Sequence, residues 1–184
     1  MGTRERLLEN GAALFAARGF HGVGVEELGE SIGLTGPSIY RHFRTKSALL
    51  AEMLITVSKS LLEGANEVIE ENLDPVQTLS ALIERHVEFA ISYPDLIRVH
   101  ERDFGNLEDD DARQVRRLQR LYVELWVDQI LRVRRNETAE SARTMAHAIF
   151  GLLNSTQRLR SSQQRSDVAE LMVGLALRAL QTDS

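Results

Sequence analysis

The stretch that decides the fold is residues 25–47, which read VEELGESIGLTGPSIYRHFRTKS. Val25, Leu28 and Ile32 recur at spacings of three and four, and this period predicts a short helix with one buried stripe. Gly33 directly follows the stripe. Because glycine readily adopts the left-handed backbone that often ends a helix, it predicts a tight turn at this point.

A second short helix follows the turn. Thr35 can cap it, and Pro37 fits its first turn, where a missing N–H leaves no intrahelical acceptor unpaired. Ile39 and Phe43 supply its buried side. Two short helices joined by a glycine-containing turn predict a helix-turn-helix, which is a DNA-binding unit.

A wider pattern surrounds this unit: a glycine–aromatic pair, the helix and turn, and a Tyr-x-His-Phe-x-x-Lys run that opens a long helix. The matching residues are Gly19-Phe20, then Leu28 and Gly33, then Tyr40-Arg41-His42-Phe43-Arg44-Thr45-Lys46, followed by Ala48-Leu49-Leu50. In this pattern the chain resembles the TetR family of bacterial transcriptional regulators. The rest of the chain matches that family only in being helical and of suitable length.

The resemblance implies an all-α fold of about nine helices. A helix-turn-helix head, residues 1–47, would precede a helical effector-binding and dimerisation body, residues 48–184. The periodicity agrees, because no segment alternates with period two over more than a few residues. The expected helix starts are Thr3, Thr45, Asp74-Pro75, Pro94, Asp109–Asp111 and Thr138, and a polar break, Ser161-Ser162-Gln163-Gln164, precedes the last helix.

Composition bounds the function classes. The chain has 184 residues, 43% of them hydrophobic and 27% charged, which is typical of a soluble globular protein. It has no cysteine, which excludes disulfides and thiolate chemistry. No leader or membrane-spanning stretch is evident, so a cytoplasmic protein is expected. The net charge of −5 lies in the body, since residues 1–48 carry six basic and five acidic side chains.

The resemblance also implies the DNA contacts. Tyr40, His42 and Lys46 match family residues that contact the DNA backbone. The start and exposed side of the second helix, where base edges are normally read, carry Thr35, Gly36, Pro37, Ser38 and Arg41. Arg41 can pair with a guanine or hold a phosphate, and the sequence leaves both open. The expected DNA partner is a double-stranded, palindromic operator bound by a homodimer.

Two departures from the family pattern support an alternative. Gly24 stands where Ser or Thr usually caps the first helix of the motif, and Glu26 and Glu27 place acids where many relatives have basic or polar residues. These acids can also simply favour the helix N-terminus. The alternative is a helical ligand-binding or interaction protein whose head no longer binds DNA.

The body is expected to bind a small hydrophobic or amphipathic effector, with a fatty-acid or acyl-CoA type as one candidate. Inner or border positions of its helices hold Phe89, Tyr93, His100, Tyr122, Trp126, Met145 and Phe150, together with His86. Such a set is either a packed core or the lining of a cavity. Arg98 and Arg102 beside His100 are either solvated or available to an anionic head group.

The last two helices carry broad apolar faces with small residues, and TetR-like dimers pair these helices as a four-helix bundle. Leu152, Leu171 and Leu175 are the predicted centre of that interface. No metal-binding or phosphate-loop motif and no catalytic constellation is visible, so neither a cofactor, a metal nor enzymatic activity is expected.

Overall fold

The computed structural model describes residues 2–158 and 164–180, and the side chains of Pro37 and Arg158 lie outside that description. Its α-helices are α1 (Thr3–Arg18), α2 (Val25–Glu30), α3 (Gly36–Ile39), α4 (Lys46–Glu70), α5 (Pro75–Ser92), α6 (Pro94–Asp103), α7 (Asp109–Val133), α8 (Ala139–Asn154) and α9 (Arg165–Leu180). Short 3-10 turns span Phe104–Asn106 and Ser155–Arg158. The described ranges contain no strand, and the all-α prediction is confirmed. None of these helices is apolar enough over sufficient length to cross a membrane.

Three predicted helix starts are confirmed by side-chain caps. The Thr45 hydroxyl accepts a hydrogen bond from the Ala48 N–H at 3.0 Å. Asp74 accepts from the Val76 N–H at 3.0 Å, and Thr138 accepts from the Ser141 N–H at 3.1 Å. Each bond satisfies one of the N–H groups that a helix start leaves unpaired.

Two expected caps differ. Thr3 is the first residue of α1, and its cap is Gly2, whose N–H donates to the Glu5 carboxylate at 2.8 Å. Thr35 does occupy the cap position of α3, but its hydroxyl bonds to the Ser38 hydroxyl at 2.8 Å instead of to a backbone N–H. The polar break at Ser161–Gln163 falls outside the described residues.

The chain divides into two compact units. The first comprises Met1–Ser58 and Asp95–Arg117, so it contains the predicted head together with α6 and the start of α7. Its apolar core is contributed by α1 to α4, α6 and α7, and its members include Leu7, Phe15, Leu28, Ile39, Phe43, Leu49, Leu50, Leu54, Val99 and Val115. Burial of each large side chain contributes about 1.5–3 kcal/mol.

The second unit comprises Lys59–Pro94 and Leu118–Ser184. Its core joins α5, α7, α8 and α9 around side chains that include Leu82, Ile83, Trp126, Ile130, Leu153 and Met172. The division into compact units does not test the functional boundary between residues 47 and 48, which stays a prediction.

Candidate functional site

The turn between α2 and α3 is shaped by two glycines. Gly33 has a φ of 78°, in the left-handed region where residues with a Cβ are strained. Gly29 lies so close to the turn that an added Cβ would sit 2.9 Å from the Leu34 carbonyl oxygen. The short helices can therefore cross closely, as the predicted helix-turn-helix requires.

The segment from α3 to α4 has a buried side and a solvent side. Ile39 and Phe43 are buried in the core of the first unit. Thr35, Tyr40 and Arg41 lie on the exposed side, with Tyr40 55% exposed. This side presents hydroxyls and a guanidinium to solvent, and such groups can hold phosphates and read base edges.

The charge on this side is available for an anion. The guanidinium groups of Arg41 and Arg44 are exposed, and no described residue forms a hydrogen bond or ion pair with either. Ser38 and His42 are half-buried beside them. The His42 carbonyl oxygen accepts from the Arg4 guanidinium at 2.7 Å. This bond ties the end of residues 35–43, which we name the recognition segment, to α1.

Lys46 is oriented inward. Its ammonium donates to the carbonyl oxygens of Phe20 at 2.6 Å and Val23 at 2.8 Å, and it lies 4.4 Å from the centroid of the Phe20 ring. Two of its three N–H groups are thus committed within the protein. The predicted phosphate contact of Lys46 is left with one donor and stays a prediction.

The two acids at the start of α2 differ. Glu27 forms an ion pair with Arg18 at the end of α1, so its charge is matched locally. Glu26 is exposed. One uncompensated carboxylate therefore remains near the N-terminus of α2, where the helix dipole favours it.

The second unit contains a buried polar group inside an aromatic cluster. The His86 ring lies between the Tyr122 hydroxyl, 2.9 Å from Nδ1, and the Asn154 amide oxygen, 3.1 Å from Nε2. The Phe150 ring stacks on His86 with centroids 5.1 Å apart, and Trp126 meets Phe150 edge-on at 4.8 Å. We name these five residues the His86 cluster.

The hydrogen bonds fix the protonation pattern of the cluster. The Asn154 oxygen can only accept, so His86 Nε2 carries the proton and Nδ1 accepts from the Tyr122 hydroxyl. Burial lowers the pKa of His86 to about 4, and burial raises the pKa of the Tyr122 hydroxyl. Both side chains are therefore neutral near pH 7. The Trp126 Nε1–H is buried and has no hydrogen-bond partner among the described residues.

The structure brings together only part of the predicted effector lining. Tyr122, Trp126 and Phe150 are in mutual ring contact, and Phe89 joins them through His86 at 6.0 Å. Two further members lie at the margin of that core, since Tyr93 is mostly exposed and Met145 is half-buried. His100 belongs to the other unit, where it packs on Phe104.

An open groove of about 460 Å³ lies between α5 and α9 in the second unit. Its floor is apolar and its rim is mostly acidic; the lining residues are Glu84, Val87, Glu88, Ile91, Ser92, Arg165, Ala169, Glu170 and Val173. An anionic ligand would meet net repulsion there. No described group of His, Asp and Glu side chains is arranged to hold a metal ion.

Comparison with known families accounts for both units. Residues 7–53 match the model of bacterial regulatory proteins of the tetR family, and residues 72–180 match a tetracyclin repressor-like C-terminal domain. The chain belongs to the TetR family. The first match contains the whole helix-turn-helix, and the second contains the His86 cluster.

Individual relatives are more distant. The chain is similar to the transcriptional repressor KstR2 of Rhodococcus jostii RHA1, with 26% identity over 68% of this chain and 62% of that protein. A TetR-family regulator from Bordetella parapertussis has the same fold, with a TM-score of 0.85 and 24% identity over 95% of this chain and 93% of its own. AibR, solved with isovaleryl coenzyme A and operator DNA, superposes with a TM-score of 0.78 at 16% identity, over 94% and 96% of the two chains.

The TetR-family body also leaves apolar side chains in solvent. Leu171 and Leu175 on α9 are 52% and 38% exposed, and Leu152 on α8 is half-buried. Among the described residues, no atom lies within 4 Å of where a Gly151 side chain would begin, so this part of α8 leaves room for a close neighbour. These observations agree with the predicted dimer surface and leave its partner untested.

Asn154 is a site residue that the sequence does not predict. It follows the apolar stripe of α8, and nothing in its local pattern distinguishes it from a solvated helix end. The residue that reveals it is His86, whose position on an inner stripe calls for a buried polar partner.

Proposed function

We propose that this TetR-family chain is a transcriptional repressor that binds a pseudo-palindromic operator as a homodimer. The observation that carries the proposal is the solvent-facing side of the recognition segment, where Thr35, Tyr40 and Arg41 are exposed while Ile39 and Phe43 anchor the same segment in the core. Two such segments about one DNA turn apart would meet successive major-groove faces.

The exposed residues suggest a division of roles. Thr35, Ser38 and Arg41 read the base edges, and Tyr40 and His42 hold phosphates; contacts of Gly36 and Pro37 with the bases remain part of the sequence-based prediction. Lys46 has a single donor left for a phosphate and mainly fixes the preceding turn. In this proposal, sequence preference depends on few side chains, of which Arg41 is the strongest candidate.

The dimer forms through α8 and α9, with Leu152, Leu171 and Leu175 at its centre. The exposure of the two α9 leucines supports this, because a surface that stays solvated seldom repeats large apolar side chains on one helix face.

A small apolar or amphipathic effector releases the operator. The His86 cluster is its proposed site, and the neighbour AibR, solved with isovaleryl coenzyme A, provides an acyl-CoA precedent in the same fold. Binding would shift α4 to α7, with α4 as the link, and move the two heads out of register. The ligand must prefer the released state to have this effect. The function requires neither cofactor nor catalysis and belongs in the cytoplasm, where operator DNA is found.

A fluorescence-anisotropy titration with duplexes from around the protein's own gene tests the proposal. Arg41→Ala and Tyr40→Phe should weaken binding, and Arg41→Ala should reduce the salt slope by about one if it holds a phosphate or change base preference if it reads guanine. Arg132→Ala, which removes an exposed arginine of α7, is the matched control and should bind like the wild type.

The rival function is that of a helical ligand-binding or interaction protein whose head no longer binds DNA. Two observations favour it: the exposed Glu26 and the inward orientation of Lys46. It predicts that no duplex binds more tightly than random DNA and that Arg41→Ala has no effect. Specific binding that Arg41→Ala weakens would exclude it.

A further inference from the structure

The last turn of α6 forms hydrogen bonds with the backbone that precedes the helix-turn-helix. Asp103 is only 3% exposed, and its Oδ1 accepts a hydrogen bond from the Phe20 N–H at 3.2 Å. Arg102 binds the same carboxylate, with Nε 3.2 Å from Oδ1 and Nη2 3.1 Å from Oδ2. A buried carboxylate is thus paired with one guanidinium and one backbone N–H, residues 20 and 103 being 83 positions apart.

Arg102 also caps the end of α1. Its Nη1 donates to the Ala16 carbonyl oxygen at 3.3 Å, and its Nη2 donates to the Phe15 carbonyl oxygen. These carbonyls belong to the last turn of α1, which forms the negative end of the helix dipole. The Phe15 carbonyl also accepts from the Gly19 N–H at 2.7 Å, so Arg102 adds a second donor there. The sequence leaves two options for Arg102, a solvated side chain or a contact with an anionic head group. The structure shows neither, because its guanidinium is bonded within the protein.

Phe20 is held from two sides. Asp103 of α6 binds its N–H, while Lys46 of α4 binds its carbonyl oxygen and lies over its ring. Phe20 lies in the turn that connects α1 to α2. The hydrogen bonds of the Phe20 N–H and carbonyl oxygen thus fix the turn between α1 and α2.

The end of α6 and the turn that follows it are also bonded to the chain after the helix-turn-helix. The Asn106 amide donates to the Asp103 carbonyl oxygen at 3.1 Å, and the Ser47 hydroxyl donates to the Asn106 carbonyl oxygen at 3.0 Å. Ser47 lies in the first turn of α4, directly after the recognition segment. Asp103 and Asn106 therefore connect the end of α6 to the chain both before and after the helix-turn-helix.

We propose that Arg102 and Asp103 are positioning residues for operator recognition, although they belong to α6 and not to the helix-turn-helix. They fix the turn at Phe20 and thereby the direction of α2 and of the recognition segment that α2 supports. A small change in that direction displaces every DNA-contacting side chain at once, so the pair acts on specific affinity without touching DNA. The inference rests on the proposed DNA-binding function.

The test uses the full-length protein and three variants. Asp103→Asn keeps the side-chain shape but removes the charge that pairs with Arg102. Arg102→Ala removes the cap of α1, whereas Arg102→Lys keeps the positive charge but has one nitrogen in place of three. Asp95→Asn is the matched control, because Asp95 lies on the same helix but is half-buried, with its side chain 45% exposed, and pairs only weakly with Arg98, at 3.9 Å.

Asp103→Asn and Arg102→Ala should each weaken operator binding, Asp103→Asn by about tenfold, with the salt slope unchanged because no phosphate contact is lost. Arg102→Lys should recover part of the loss. Hydrogen exchange at the Phe20 amide should accelerate in Asp103→Asn, since its acceptor is weakened, and should stay at the wild-type rate in Asp95→Asn. Circular dichroism confirms that each compared variant is folded; if Asp103→Asn does not fold, Arg102→Ala and Arg102→Lys carry the test.

The outcomes separate this inference from the proposed function. If the wild type binds an operator and the folded variants bind it equally well, the positioning role is wrong and the regulator function stands. A lowered salt slope would also overturn it, because it would indicate a direct phosphate contact. If the wild type binds no operator, the proposed function fails, and the positioning role fails with it, whereas the exchange rate at Phe20 still reports whether Asp103 holds the turn.

Discussion

Acidification should destabilise this protein through a single buried histidine. The His86 ring is enclosed by aromatic side chains and bonded in its neutral form to Tyr122 and Asn154. Burial lowers its pKa from 6.5 to about 4 in the folded chain. The unfolded chain binds a proton at this side chain below about pH 6.5, whereas the folded chain does not until about pH 4. The contribution of neutral His86 to the free energy of unfolding is therefore fully present above pH 6.5 and is lost as the pH falls towards 4.

The pKa difference sets the magnitude. A shift of this size corresponds to about 3 kcal/mol of unfolding free energy across the whole window, because one pKa unit is worth about 1.4 kcal/mol. Between pH 7 and pH 5 the loss from His86 alone should be about 2 kcal/mol. That is a large share of the total stability of an ordinary domain.

Urea unfolding at fixed protomer concentration, followed by circular dichroism from pH 7 to pH 5, measures this loss. His86→Gln removes the titrating group, so the stability difference between wild type and variant should shrink by about 2 kcal/mol over that range. His147→Gln, which changes an exposed histidine of α8, is the control and should follow the wild-type line. A wild-type advantage over His86→Gln that stays constant from pH 7 to pH 5 would refute the reasoning.

Two further predictions concern assembly and the head. Leu175→Glu should give monomers in sedimentation and abolish operator binding, whereas Leu121→Glu, at an exposed leucine of α7, should remain dimeric; a Leu175→Glu variant that still sediments as a dimer contradicts the α8–α9 interface. Lys46→Met should lower the free energy of unfolding by about 1–3 kcal/mol, because the Phe20 and Val23 carbonyls lose their donor. Lys59→Met, at an exposed site, should change it by less than about 0.5 kcal/mol, and equal effects of the two variants would exclude the structural role of Lys46.

The features that the sequence predicted well are local. Gly33 at the turn, Thr45 before α4 and Asp74 before α5 act on backbone groups within a few residues of themselves. Their chemistry is therefore visible in a short window of sequence. The same applies to the buried stripe of Ile39 and Phe43, whose spacing shows that one side of the recognition segment must be exposed.

The features that escaped prediction join distant helices. His86 and Asn154 are 68 positions apart, and the bond from Phe20 to Asp103 closes a still longer loop. The period of apolar residues indicates which side chains point into the core, but it does not indicate which helix each of them contacts. Lys46 shows the limit most clearly, since its motif assigns it to DNA while the fold supplies two carbonyl oxygens within reach of its ammonium.

The His86 cluster also predicts the chemistry of the effector's head group. The cluster contains no charged side chain, and two arginines of its helices are engaged elsewhere: Arg85 of α5 pairs with Glu67 and Arg143 of α8 pairs with Glu124, both at 2.8 Å. The groove between α5 and α9 adds three carboxylates against one guanidinium. A free carboxylate at the cluster would be desolvated without a charged partner, which costs several kcal/mol. In the open groove it would meet more negative than positive charge.

A straight-chain alcohol should therefore bind at least about tenfold more tightly than the fatty acid of equal chain length. Trp126, the single tryptophan, reports binding at the cluster through its fluorescence. The alcohol should weaken operator binding over the same concentration range, since both sites share one conformational equilibrium. Tighter binding of the acid would show that the effector's head group meets a cation outside the cluster. If neither ligand changes the fluorescence or the DNA affinity, the aromatic cluster is a packed core and the effector site lies elsewhere.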